Sequence, residues 1–245
     1  AASAIIFNGD VSALGAGHLG AATADKHKRQ AVQPADRSQS AITWSAIARG
    51  ASDDIAPHTV AFGPDYASEF ADVFDRRRPP ASPTVYIHAP DRPAGGGRVA
   101  SRATHQPTSE SRERIFMLVN APPHQSPREA PSTSYDRENQ IAETTAAMQA
   151  SVAAAGWKIP IEREATVVTT PDDFADMFPG SGGALYGRAP HGWQASFARL
   201  GAESRVPGLF LAGGSVHPGP GVPMATLSGR LAAHAVLTNR SRTAR

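Results

Sequence analysis

The sequence predicts an α/β fold carrying an α+β insert, and three observations predict it. Near the C-terminus an uninterrupted apolar run, Leu209-Phe-Leu-Ala212, meets two glycines and a Pro/Gly-rich loop, then gives way to helical periodicity. Such a run suits a short strand covered on both faces. At the other end, Ala4-Ile-Ile-Phe7 makes a second brief apolar strand, closed by the turn signal Asn8-Gly-Asp10. Between them lie strand-like segments with few helices, in an order that suits a mixed or antiparallel sheet. The chain therefore opens on a scrap of an α/β domain (residues 1–35), passes through an insert (36–195), and returns to the first domain (196–245).

Composition narrows the function classes. The 245 residues suffice for one large or two small domains, and 40% hydrophobic residues supply a real core. The formal charge of +2 is close to neutral, with only three lysines, Lys26, Lys28 and Lys158. The run Arg76-Arg-Arg78 reads as a solvated face, and no nucleic-acid module accompanies it, so no nucleic acid is expected as a partner. There are no cysteines, which excludes disulfides and thiolate chemistry. No stretch approaches the roughly 18 apolar residues of a membrane span. Residues 1–7 read as strand from the outset, so the start is expected to cut through a domain.

The remaining elements follow in order. Gly15-Ala-Gly17-His-Leu-Gly20 matches the dinucleotide fingerprint in form only. Seven residues separate it from the strand ending at Phe7, and the stretch after it is polar. The real motif closes a strand directly and opens a helix. Gln39 to Ala48 reads as a strand, and Val60 to Phe62 as a shorter one. Asp65 to Arg76 reads as an amphipathic helix, with Tyr66, Phe70, Val73 and Phe74 on a core-facing side. Thr84 to His88 and Arg114 to Asn120 are β-rich. The stretch 92–112 is rich in Pro, Gly, Ser and Arg and is expected to be a poorly ordered loop. Tyr135 to Ala155 reads as a helix with Ile141, Met148 and Val152 on its apolar edge and Gly156 as C-cap. Ile159 to Ile161 and Ala165 to Thr170 are strand-like. Thr170-Pro171-Asp-Asp is a helix start, and Ala184 to Tyr186 suggests a small strand.

The terminal segment is the most informative. Gly213 and Gly214 follow the strand at once and let the backbone turn with no Cβ in the way. His217-Pro-Gly-Pro-Gly221 is a shaped loop. Pro223 suits the first turn of a helix running through Met224 to Leu237. A glycine loop feeding a helix start presents N–H groups and a positive dipole end to an electron-rich ligand.

The segment Val206 to Arg230 resembles the C-terminal flavin-binding segment of FAD-dependent carotenoid desaturases of the phytoene desaturase type. Ala4 to Leu14, Arg114 to Pro123 and Gly182 to Trp193 carry the same resemblance. It lies closest to the branch acting on hydroxylated or methoxylated acyclic carotenoids. It runs over nearly the whole chain but covers only the C-terminal half of such an enzyme. The resemblance implies a Rossmann-like FAD-binding domain interrupted by a substrate domain, with the true fingerprint on a missing N-terminal half. It implies FAD as cofactor, a lipid-soluble carotenoid as substrate, and a cytoplasmic location with peripheral membrane attachment. Carried over by position, Gly213, Gly214, Ser215, Gly221, Val222, Pro223 and Met224 are the cofactor-binding residues. Val222 and Met224 are the candidate N–H donors, since Pro223 has none. Many relatives place an acid where Gly214 stands, so backbone or Ser215 must hold the ribityl chain here.

His217 is a possible base, but a histidine beside proline in a glycine loop reads first as structural or exposed. Trp193, near His191, could line a polyene tunnel or simply pack. His88, Asp91 and Arg92 form a local polar cluster without spacing that demands a role. The nine histidines are scattered, so no metal is expected. The catalytic residues stay unassigned. The alternatives to desaturation are another flavin amine-oxidase-like oxidoreductase, such as a polyene isomerase or saturase, and a non-catalytic fragment unable to hold FAD alone.

Overall fold

The structure is a computed structural model that describes residues 2–30, 32–92, 112–124, 134–189 and 199–243. The expected loop at 92–112 falls, after Arg92 and before Arg112, outside the described residues, as do His191 and Trp193. The fold is mixed α/β, with one parallel and one antiparallel sheet. Two compact units make it up. The first comprises Ala1–Gln39, Pro123–Glu129 and Asp172–Arg245; the second comprises Ser40–Pro122 and Ala130–Pro171. The sequence placed the divisions at 35/36 and 195/196.

In the first unit, β1 (Ile5–Phe7) pairs in parallel with β7 (Leu209–Leu211), with Ile6 opposite Phe210. β7 is buried throughout, as its unbroken apolar run requires, whereas Ile5 and Ile6 of β1 stay about half exposed. Leu14, Leu209, Leu211 and Val216 form the small core here. The formal fingerprint falls on α1 (Ser12–Gly15) and the turn into α2 (Ala21–His27), with Gly17 and Gly20 at positive φ. It makes no strand–turn–helix. The long closing helix, α6 (Val222–Thr243), starts one residue before Pro223.

The second unit is a five-stranded antiparallel sheet in the order β3-β4-β5-β2-β6. Its strands are β2 (Ser40–Arg49), β3 (His58–Ala61), β4 (Val85–His88), β5 (Arg112–Ala121) and β6 (Ile161–Thr169). β2 lies inside the sheet and is nearly buried; Ile42, Trp44 and Ala48 are fully enclosed. β5 alternates between buried Ile115, Met117 and Val119 and less buried neighbours, the period-2 signature of a one-sided core. The helix α4 (Ser134–Ala154) adds Met148 and Val152 to that core, and Gly156 ends it at φ +87°. Trp44 donates its indole N–H to Thr145 Oγ1 at 3.0 Å, which satisfies the one polar atom of a large buried ring.

Three expectations need correction. The helix read over Asp65 to Arg76 is split into α3 (Tyr66–Phe70) and a π-turn (Ala71–Asp75). Of the expected core-facing side Val73 is buried at 1% exposure and Phe70 and Phe74 are half-buried, but Tyr66 is 57% exposed, while Glu69 and Asp72 are buried. The reason is polar. Glu69 accepts the Thr84 N–H and the Asn120 amide, each at 2.9 Å. Asp72 accepts Arg76 and Arg78. The two strand segments around 160–170 are one strand, β6. The small strand at Ala184 to Tyr186 is absent; that backbone bends, and its hydrogen bonds run to Ser38 and Gln39. The helix α5 (Pro171–Met177), which falls in the first unit from Asp172 onward, begins on the proline as expected.

Candidate functional site

Parallel pairing decides where the site lies. Because β1 and β7 run the same way, their C-terminal ends release Asn8-Gly9-Asp10 and Gly213-Gly214-Ser215 side by side. Ligands of parallel α/β sheets bind at such strand ends. A cavity of about 190 Å³ opens there, walled by those six residues. Phe178 and Leu185 give it an apolar side, and Gly187 a bare one.

Each strand end is pinned to the other. Ala212 donates its N–H to the Phe7 carbonyl at 3.0 Å. Ser215 Oγ accepts the Val11 N–H at 3.2 Å and donates to the Gly9 carbonyl at 3.4 Å. Gly213 adopts φ +115°, and a Cβ there would come 2.7 Å from Asn8 Oδ1. Its N–H is received at 2.8 Å by Ser228 Oγ, from a side chain that is 1% exposed on α6. Asp10 Oδ1 accepts the Ser12 N–H at 2.8 Å and so starts α1. Arg199 ties the outer side, donating to the carbonyls of Gly214 at 3.1 Å, Tyr186 at 3.2 Å and Arg188 at 3.3 Å. Desolvation pulls the Arg199 pKa below its ordinary value, against the opposing charge of Asp10.

The seven residues expected at the cofactor divide. Gly213, Gly214 and Ser215 wall the cavity. Gly221, Val222, Pro223 and Met224 do not; they form the exposed start of α6, with Val222 at 82% exposure. A Cβ on Gly221 would meet no atom within 4 Å. Ser215 sits at the site, but its hydroxyl is engaged with main chain from both strand ends. His217 is exposed and does not wall the cavity. Asn8, Asp10, Gly187, Arg199 and Ser228 escaped the sequence reading. Asn8 and Asp10 carried a signal, since they follow one short strand as the glycines follow the other.

The polar cluster at 88–92 is structural. His88 Nδ1 lies 2.8 Å from the Pro57 carbonyl, and its ring stacks on His58 with centroids 4.5 Å apart. Asp91 pairs with Arg114, whose hydrogen bonds hold the carboxyl below its ordinary pKa. Arg92 is buried, donates to Glu113 at 2.8 and 2.7 Å, and reaches the Ser52 and Ile55 carbonyls. Among the described residues no group of three His, Cys, Asp or Glu could hold a metal. A separate groove of about 420 Å³ between the loop at Arg78 to Ala81 and α4 is walled by Pro79, Pro80 and Ala147 as well as by Asp136, Asn139, Gln140 and Glu143.

The chain is similar to known proteins along its whole length. It is 43% identical over 244 residues to a hydroxyneurosporene desaturase of Rubrivivax gelatinosus, covering 100% of this chain and 43% of that protein. It is 37% identical over 240 residues to a hydroxyneurosporene desaturase of Cereibacter sphaeroides, covering 96% and 43%. A zeta-carotene-forming phytoene desaturase of Myxococcus xanthus is 30% identical over 191 residues, covering 76% and 33%. The chain thus spans about two-fifths of the length of the first two relatives, at 43% of each. No protein-family model matches it.

Proposed function

The chain belongs to the carotenoid desaturase family of the hydroxyneurosporene desaturases, and from that premise we propose that it is the C-terminal part of an FAD-dependent enzyme that introduces C=C bonds into an acyclic carotenoid. A 1-hydroxy or 1-methoxy derivative is the substrate. One observation carries the reading: both parallel strands of the first unit deliver bare main chain to a single cavity. The first unit is then part of a Rossmann-like FAD-binding domain, and the second unit belongs to the substrate domain. The remaining part of such an enzyme supplies the true dinucleotide fingerprint.

The residues present fit a flat ring system with a polar tail. A Cβ on Gly187 would stand only 3.4 Å from Asp10 Oδ2 and from Ser215 Cβ, so a side chain there would begin to fill the cavity. Gly213, Gly214 and Ser215 bring main chain to it; Gly221, Val222, Pro223 and Met224, at the exposed start of α6 and outside this cavity, would meet the cofactor beyond it. FAD, when bound, supplies the hydride acceptor that no side chain offers. The chain's own part is electrostatic and geometric. The α6 N-terminus, with the Val222 and Met224 N–H groups, favours negative charge on the reduced cofactor. Phe178 and Leu185 give the cavity an apolar side against which an oriented polyene would lie. The proton lost with the new double bond passes to water or a weak base, and no residue is assigned that role.

The substrate dissolves only in lipid, so the enzyme works in peripheral contact with a membrane. Among the described residues no helix is long and apolar enough to cross one. The test feeds the full-length protein acyclic hydroxycarotenoids and follows the products by absorption and mass. Longer conjugation, with loss of a hydrogen pair per new bond, is the expected result. A moved or reduced double bond would point instead to an isomerase or saturase, and unchanged substrate would refute the reading.

A further inference from the structure

The five-stranded sheet of the second unit has two faces. One carries the core of Ile115, Met117 and Val119; the other carries side chains in rows that cross every strand. His58, His88, Phe116, Ser45 and Val167 stand in one such row, each opposite the next. Val60, Tyr86, Leu118, Thr43 and Thr169 make the adjoining row. Val60 and Val167 are exposed, Tyr86, Phe116 and Leu118 are half-buried, and Thr43 is enclosed. Five strands at the usual spacing give this double row a length of about 19 Å.

Polar contacts bound the strip on both sides. On one side the next row holds Asn120 opposite Ala41, and the Glu69 carboxylate ties Asn120 to α3 at 2.9 Å. On the other side the next row holds Arg114 opposite Ile47, and Arg114 is locked to Asp91. Between these borders the strip is two residues wide, about 7 Å along the strands. That is narrower than an α-helix with its side chains, about 10–12 Å across, and suits one extended hydrocarbon chain.

At the β3 end the strip carries a fixed hydrogen-bonding group. His58 Nδ1 lies 2.7 Å from the Tyr86 hydroxyl. The His58 ring stacks on His88 with planes 9° apart, and the Pro57 carbonyl fixes His88 in turn. Among the described residues no hydrogen bond reaches His58 Nε2. A neutral His58 can share one proton with Tyr86 in two ways, and each presents an unused donor. When Nδ1–H donates to the phenol oxygen, the phenol O–H is left for a ligand. When the phenol donates to Nδ1, the Nε2–H is left instead. A hydroxyl or an ether oxygen accepts in either arrangement.

We propose that this strip seats the oxygenated end of an acyclic carotenoid, with His58 and Tyr86 hydrogen-bonded to its hydroxyl or methoxy oxygen and Phe116 and Leu118 under the adjoining hydrocarbon. His88 is a positioning residue that holds the His58 ring. A plain hydrocarbon end leaves both polar groups desolvated and unpaired, and that cost discriminates between the two ends. The proposal rests on the carotenoid desaturase reading and adds to it the side chains that select the end group.

The test gives the full-length protein an acyclic 1-hydroxycarotenoid and the hydrocarbon identical but for that oxygen. Turnover yields kcat/KM for each, and quenching of tryptophan fluorescence yields the affinity for each without turnover. The variants are Tyr86→Phe and His58→Phe, the second keeping a ring against His88. The wild type is expected to prefer the hydroxylated compound. Each variant cuts that preference about tenfold, as for one lost hydrogen bond, and does so through KM. His88→Ala lowers the same preference and His88→Phe, which still stacks, restores it; no restoration denies His88 its positioning role. Equal affinity of the wild type for both compounds, or a preference that Tyr86→Phe and His58→Phe leave intact, overturns the proposal. Preferential binding through these residues without any new double bond keeps the end-group site and removes the desaturase reading. New double bonds, with a preference that the variants do not touch, keep the desaturase reading and remove the site.

Discussion

Gly213 is where the site is most sensitive to a single atom. Replacing it with alanine asks an L side chain to adopt φ +115°, which lies beyond the left-handed helical region that non-glycine residues tolerate. Backbone strain of that kind costs about 1–3 kcal/mol. The new methyl would also come 2.7 Å from Asn8 Oδ1. That contact is with the end of a side chain, so Asn8 can rotate away at about 1 kcal/mol for leaving its rotamer. The sum for Gly213→Ala is about 2–4 kcal/mol, a sizeable share of the 5–15 kcal/mol typical of a domain. Native-state hydrogen exchange with mass spectrometry reads it. Peptides spanning β7 lose protection by that amount, while peptides spanning β2 in the other unit do not change. Asn8→Ala in the same chain restores only the contact part, roughly 1 kcal/mol. Two results would refute the reasoning: β7 protection within about 0.5 kcal/mol of wild type, or full recovery by Asn8→Ala.

Three further outcomes are expected. Glu113→Ala leaves the buried Arg92 guanidinium without its carboxylate, which costs about 3–5 kcal/mol; urea unfolding by circular dichroism measures it. Trp44→Ala empties a fully enclosed site and removes its hydrogen bond to Thr145, at about 3–5 kcal/mol on the same measurement. Asp72 supplies a pH dependence. Burial works to raise its carboxyl pKa, but hydrogen bonds from Arg76 and Arg78 and the Ala81 N–H outweigh burial and hold it below 3.8. A depressed folded-state pKa gives stability that is present above the unfolded value and lost as pH falls through the folded one. Asp72→Asn therefore lowers stability at neutral pH and flattens the acid limb below about pH 4. An acid limb unchanged in slope would count against Asp72 as its source.

Much of this architecture was legible in residue order because it is written in periodicity. The unbroken run at β7, the alternation in β5 and the spacing of Met148 and Val152 on α4 each report a burial pattern directly. The helix at 65–76 was misread for the opposite reason. Hydropathy puts aromatics inside and acids outside, and here Glu69 and Asp72 are enclosed because Thr84, Asn120, Ala81 and two arginines satisfy them. Arg76 stands at i+4 from Asp72, but Arg78, Ala81, Thr84 and Asn120 fall outside the helical period, so periodicity alone does not reveal the pattern. The site divides the same way. Gly213 and Gly214 announce a turn locally, whereas Ser228 and Arg199 matter only because the fold brings a buried hydroxyl and a guanidinium onto that turn.

The hydroxyl bridge from Ser215 to Val11 joins residues 204 positions apart. Closing so wide a ring is entropically costly for a floppy chain, though the cost grows only with the logarithm of length. Most of the intervening chain, however, belongs to a sheet whose antiparallel pairings can form without β1 or β7. Once they do, the effective span shrinks, and the tips of the first and last strands search a far smaller space. The order of events during synthesis follows: the sheet between the two strands condenses early, and the seam of β1 with β7 assembles only once β7 and Ser215 have left the ribosome.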